Sequence, residues 1–141
     1  MKKINKYQYV IEQSDKDLAI EKNWATDESK KENVYIGNLA EIAACKYLDI
    51  DWNPVEYSVE DLIDNDNIRY QVKSFKDKGY TFRFFLDQND NWKDGYDRYI
   101  FCYIDKDEKH AYIEGNMTAD MAHTNSHIHK SFTSLYRKQP C

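Results

Sequence analysis

Downstream of Pro54 the chain stops spacing its apolar residues like a helix and becomes a succession of short β-prone runs: "PVEYSV", "DLI", "IRYQVKSF", "YTFRFFL", "RYIFCYI" and "HAYIEGN". Each run is rich in β-branched and aromatic residues. The segments between them, "DNDN", "KDKG", "DQNDNWKDG" and "DKDEK", carry the Asn, Asp and Gly chemistry that lets a chain reverse direction. A chain written this way must build a sheet from residues close in sequence. Whatever precedes the sheet has to cover it.

The covering segment is "ENVYIGNLAEIAACKYL". Tyr35, Leu39, Ile42, Ala43 and Lys46 fall on one side of a helix, and Ile36, Leu39, Ala40, Ala43 and Tyr47 on an overlapping one, a stripe broad enough to lie on a sheet. Glu41 sits at the edge of that stripe, and Gly37, one turn earlier, would admit another backbone or a ligand. Before it, "YQYVI" is β-prone. "SDKDLAIEKNW", with Ser14 followed three residues later by Asp17, predicts a helix over 15–24. Near the end, "TADMAH" predicts a short helix capped by Thr118. Helices followed by strands give an α+β domain with a mixed sheet flanked by helices. With two prolines, no repeats and no low-complexity tract, 141 residues read as one domain: an N-terminal helical extension over 1–34, a core over 35–116 and a tail over 117–141 packing on it.

Charge and cysteine usage exclude several classes. The net charge is −5, so nucleic-acid binding is not announced by a basic excess, and the acidic residues concentrate in 35–105. Three widely spaced cysteines, Cys45, Cys102 and Cys141, make neither a disulfide framework nor a paired zinc site and fit the reducing cytoplasm. The start of the chain lacks a signal-peptide apolar run, and no segment has the length of a membrane span. Lys, Asn, Asp and Tyr richness fits an AT-rich coding source such as a phage or low-GC bacterium.

The polar residues inside the β-runs carry the functional signal. In "IRYQVKSF", Arg69, Gln71, Lys73 and Phe75 point to one face of a strand, and Ile68, Tyr70, Val72 and Ser74 to the other. If "DLI" pairs with this strand through "DNDN", Asp61 lies across from the Gln71/Lys73 region. An Asp opening one strand, Gln-Val-Lys in the next, and a preceding helix with "GNLAEIAACKYL" resemble the PD-(D/E)xK nuclease superfamily, with its restriction-endonuclease-like fold, over about 35–75.

The resemblance implies a metal-dependent DNA endonuclease using Mg²⁺ or Mn²⁺. It maps Glu41, Asp61 and Gln71 onto the metal ligands and Lys73 onto the residue that positions or activates the attacking water. The backbone carbonyl of Val72 would join the ligands. Gln71 stands where an acid is commoner, as in Mrr-like restriction enzymes, and Glu60 replaces the proline before Asp61. An amide oxygen ligates without formal charge, which weakens a Mg²⁺ site. Asp64 and Asp66 are alternatives to Asp61 but fall in the turn.

Arg69, Lys76, Lys78 and Arg83, interleaved with Phe75, Tyr80, Phe82, Phe84 and Phe85, are the candidate DNA contacts. The resemblance also allows a homodimer, and an inactive nuclease-like fold serving as a binding module for a protein partner in a phage or bacterial defence conflict. Other chemistries are poorly supported. "HTNSHIH" clusters His123, His127 and His129 without the H-E-x-x-H pattern, no G-x-S-x-G occurs, and Cys45 falls on a core-facing helix stripe.

Overall fold

The computed structural model describes residues 7–54, 62–76 and 96–125. Its elements are β1 (Tyr7–Val10), α1 (Gln13–Glu21), α2 (Glu28–Leu48), β2 (Leu62–Ile63), β3 (Arg69–Lys76), β4 (Arg98–Ile104), β5 (His110–Thr118) and α3 (Ala119–Asn125). The strands form one sheet in the order β1-β5-β4-β3-β2. Every neighbouring pair is antiparallel except β3 and β4, which run parallel with Gln71 beside Tyr99, Lys73 beside Phe101 and Phe75 beside Tyr103. This is a mixed α+β architecture. Residues 55–59 and 80–86, expected as strands, lie outside the described residues.

The two sheet faces are covered unequally, and strand alternation explains how. Tyr70 of β3, Ile100, Cys102 and Ile104 of β4, and Ala111 and Ile113 of β5 point to one face, where Ile36, Leu39, Ala40, Ile42, Ala43 and Ala44 of α2 bury them. Their β4 neighbours Tyr99 and Phe101 point the other way and pack with Tyr96 and with Ala119 and Ala122 of α3. The small residues of α2 let the helix approach the sheet closely. A Cβ on Gly37 would meet nothing within 4 Å, so among the described residues no other backbone comes close there.

α2 starts seven residues before Tyr35. Asp27 caps it, its carboxylate accepting from the Ser29 backbone N–H at 3.0 Å, and Asp49 ends it in the left-handed region at φ 58. α1 starts at Gln13 rather than Asp15. The capping box there is Glu12 with Asp15, not Ser14 with Asp17. α1 is fastened to α2 by buried Asn38, whose Nδ2 donates to the Ala19 carbonyl at 3.0 Å. β1, within the stretch expected as an extension, is the sheet's edge strand, with Tyr7 opposite Ile113. α3 follows β5 directly, and Thr118 Oγ1 accepts from the Met121 N–H at 3.1 Å, the cap expected for "TADMAH".

Candidate functional site

The hairpin expected from "DLI" and "IRYQVKSF" forms, with Leu62 opposite Tyr70 and Ile63 opposite Arg69. Asp64 organises its turn. Its Oδ1 accepts from the Asp66 and Ile68 N–H groups at 2.8 and 2.9 Å, and its Oδ2 from the Tyr70 hydroxyl at 3.0 Å. Burial alone would raise the Asp64 pKa, but these three donors outweigh it and hold the carboxyl below its usual range. The Tyr70 hydroxyl is pushed up to about 12 by burial and by Asp64, so it remains a donor. Asn67 takes the left-handed conformation at φ 64 that closes the reversal. Asp64 is thus committed to the turn, and Asp66 is exposed within it. Asp61 lies outside the described residues.

Leu62 and Tyr70 are buried under α2, with Val72 packed against the same cluster. Gln71 and Lys73 therefore project to the opposite face, beside Tyr99 and Phe101. There Gln71 Oε1 is buried and accepts no hydrogen bond. A buried acceptor left in this way costs about 1–3 kcal/mol, so it calls for a partner such as a water or an ion.

Glu41 approaches from the α2 side. Lys76 Nζ lies 3.5 Å from Glu32 near the start of α2, and Cys45 and Lys46 near its end line one cavity with Asn65 of the β2–β3 turn, so the helix runs antiparallel to β3. From Glu32, a helical rise of about 13 Å to Glu41 matches roughly four strand residues back from Lys76, level with Val72. Glu41 Oε1 accepts from Trp52 Nε1 at 3.0 Å. Its charge also reaches Cys45, whose thiol is pushed up to about 12 by burial first and then by Glu41 and Asp51. Glu41 is level with the Gln71/Lys73 pair, on the other side of the sheet. Beyond Tyr70, β3 is flanked among the described strands by β4 alone.

The basic candidates separate. Arg69 shares the Gln71 face and grips Asp97 with Nε at 3.2 Å and Nη2 at 3.0 Å, while its backbone N–H donates to the same carboxylate at 3.0 Å. Lys76 faces α2, bonded to Glu108 at 2.6 Å. Lys78 and Arg83 lie outside the described residues, as do Tyr80, Phe82, Phe84 and Phe85.

His123, the described member of the histidine group, has its Nε2 2.5 Å from the Tyr99 hydroxyl, which is 3.0 Å from the Tyr96 hydroxyl. His127, His129 and Cys141 lie outside the described residues. Among the described residues no three His, Cys, Asp or Glu side chains form a metal-holding group, and no helix is long and apolar enough to cross a membrane. Sequence reasoning missed the Tyr96–Tyr99–His123 chain and the Arg69–Asp97 clamp. The strict aromatic–aliphatic alternation of "RYIFCYI" was the signal for the first.

Comparison with family models finds no match to this chain, and comparison with curated proteins finds none. Its function has to be argued from these residues.

Proposed function

We propose that the chain is a metal-dependent nuclease of PD-(D/E)xK type that hydrolyses DNA phosphodiester bonds at the sheet face carrying Gln71 and Lys73. The observation that carries the reading is the buried, unengaged Gln71 Oε1 two residues from Lys73 on one face of β3. The β2–β3 register supports it. Leu62 lies opposite Tyr70, the residue before Gln71. The mixed sheet is of the kind the resemblance implies.

The donor set suits a hard dication. Gln71 Oε1, the Val72 carbonyl and the Asp61 carboxylate would be the oxygen ligands, with Glu41 of α2 as the further carboxylate that the resemblance implies. Bound there, Mg²⁺ or Mn²⁺ would supply Lewis-acid chemistry for phosphodiester hydrolysis. Lys73 orients the attacking water and offsets charge that grows on the scissile phosphate. Gln71 leaves the site one formal charge short of an all-acid set, so Asp61 carries most of the metal affinity. Arg69, locked by Asp97, is a fixed cation on the same face.

The test is incubation of the pure protein with supercoiled plasmid, linear single strands and a four-way junction in Mg²⁺ or Mn²⁺, beside Lys73→Ala and Asp61→Ala. The reading expects cleavage that both substitutions abolish. Cleavage that persists in either variant, or no cleavage on any substrate, overturns it. The second reading, an inactive nuclease-like fold that binds a protein partner, is favoured by the same Gln71 and by the net charge of −5, and it expects no cleavage on any substrate.

A further inference from the structure

One margin of the sheet is formed by β1, which among the described strands pairs with β5 alone, in unbroken register from Tyr7 opposite Ile113 to Val10 opposite His110. The next residue fixes which way its backbone points. The Ile11 N–H donates to the Lys109 carbonyl at 2.9 Å. By the alternation of an antiparallel ladder, Tyr7 and Tyr9 bond to β5, while Gln8 and Val10 turn their N–H and C=O groups away from the sheet. Val10 is 60% exposed and Tyr7 37%, and Gln8 is exposed between them. An edge is commonly blunted by a charge, a proline or a bulge within the strand. "YQYV" has none of these.

We propose that this margin is a docking site for an extended acidic segment of another protein, which adds as a further strand beside β1. Main-chain hydrogen bonds to Gln8 and Val10 give such a segment its affinity and its register. The site does not depend on the nuclease reading, because β5 and β4 separate β1 from the strand that carries Gln71 and Lys73.

Charge chooses the occupant. Lys6 directly precedes the strand, with Lys2 and Lys3 ahead of it, and exposed Lys109 lies beside its other end. The carboxylates near them are engaged. Asp15 is buried and accepts from the Tyr9 hydroxyl at 2.6 Å and from the Glu12 N–H at 2.9 Å, and the Glu12 side chain accepts from the Asp15 N–H. Glu108 is bonded to Lys76 at 2.6 Å and Asp105 to His110 Nδ1 at 2.9 Å. Lysines at both ends favour a strand that carries carboxylates. They also oppose a second copy as the occupant. Paired in parallel, two β1 strands set Lys6 against Lys6, and paired antiparallel they set Lys6 near Lys109.

Anisotropy of a short labelled peptide of alternating glutamate and valine tests the site. The same peptide with lysine for glutamate, and the acidic peptide with an N-methylated backbone, are run beside it. The acidic peptide should bind in preference to both, and added salt should weaken it. Gln8→Pro removes one outward N–H and leaves the bonds to β5 in place, since proline is tolerated on an edge strand where its N–H side faces solvent. It should weaken binding about tenfold or more, as loss of a main-chain hydrogen bond does. Lys6→Glu should weaken it in the same direction, and circular dichroism confirms that each variant is folded. Equal or tighter binding of either control peptide, no binding of the acidic one, or unchanged affinity in the folded variants overturns the proposal. So does a dimer of the protein alone, seen by sedimentation, that Gln8→Pro dissociates, because a second copy would then hold the edge. No metal or DNA enters the assay, so peptide binding without cleavage would remove the nuclease reading alone, and cleavage without peptide binding would remove the docking site alone.

Discussion

At the scale of single residues, the two polar members of "QVK" should separate by experiment. Lys73→Ala should lower cleavage by about a hundredfold or more, as loss of a charge-stabilising donor does, while Mn²⁺ binding followed by titration calorimetry stays near wild type. Asp61→Ala should lose both. Gln71→Glu restores the commoner acid and should tighten Mn²⁺ binding, read as a lower Kd in the same calorimetry. A Gln71→Glu protein with unchanged or weaker affinity would argue against Oε1 as a ligand. These pairings were legible in the sequence because strand alternation assigns faces without any long-range information. The side of the sheet on which Glu41 lies was not, since that depends on which face α2 chooses. The Tyr70 and Val72 side is chosen because it offers the aliphatic strand positions.

Among the described elements, two β-runs were legible to the residue: "RYIFCYI" is β4 and "HAYIEGN" begins β5. The first turns of α2 escaped notice because "ESKKEN" is solvent-facing and has no apolar stripe, and the helix there depends on its Asp27 cap and on propagation from the buried part. The α1–α2 junction depends on one polar contact. Asn38→Leu removes the donor to the Ala19 carbonyl, and urea unfolding should show a loss of about 1–3 kcal/mol. A smaller loss would mean that apolar packing alone holds α1.

For the whole molecule, the shifted groups fix how stability follows pH. Arg69 holds Asp97 below the usual carboxylate range, and the turn donors do the same for Asp64. In Asp105, burial acts upward, but the His110 and Lys109 donors outweigh it. Each has a folded pKa below its unfolded value, so its stabilisation is complete above the unfolded pKa of about 3.9 and is lost as pH falls toward the folded pKa. Lys76 has the opposite sign. Its hydrogen bond to Glu108 raises its pKa despite burial, so its contribution is present below the unfolded value of about 10.4 and is lost as pH rises through the folded one. Thermal melts should therefore be flat near neutrality, fall steeply below about pH 4 and fall again in strong alkali. Asp97→Asn should make the acid fall shallower. A Tm that declines steadily from pH 7 to pH 5 would contradict this assignment.

The edge position of β1 sets a timetable for the nascent chain. Its partner is β5, so the uncharged "YQYV" leaves the ribosome long before the strand it pairs with has been synthesised. Helix α2 and the β2–β3 hairpin can form while the rest is still being made, whereas the edge strand waits for almost the whole described sheet. Contacts so distant in sequence slow folding and prolong the interval in which an open strand can meet the wrong neighbour. The lysines at positions 2, 3 and 6, just ahead of "YQYV", are charges of the kind that keep a waiting strand from pairing with its own copies.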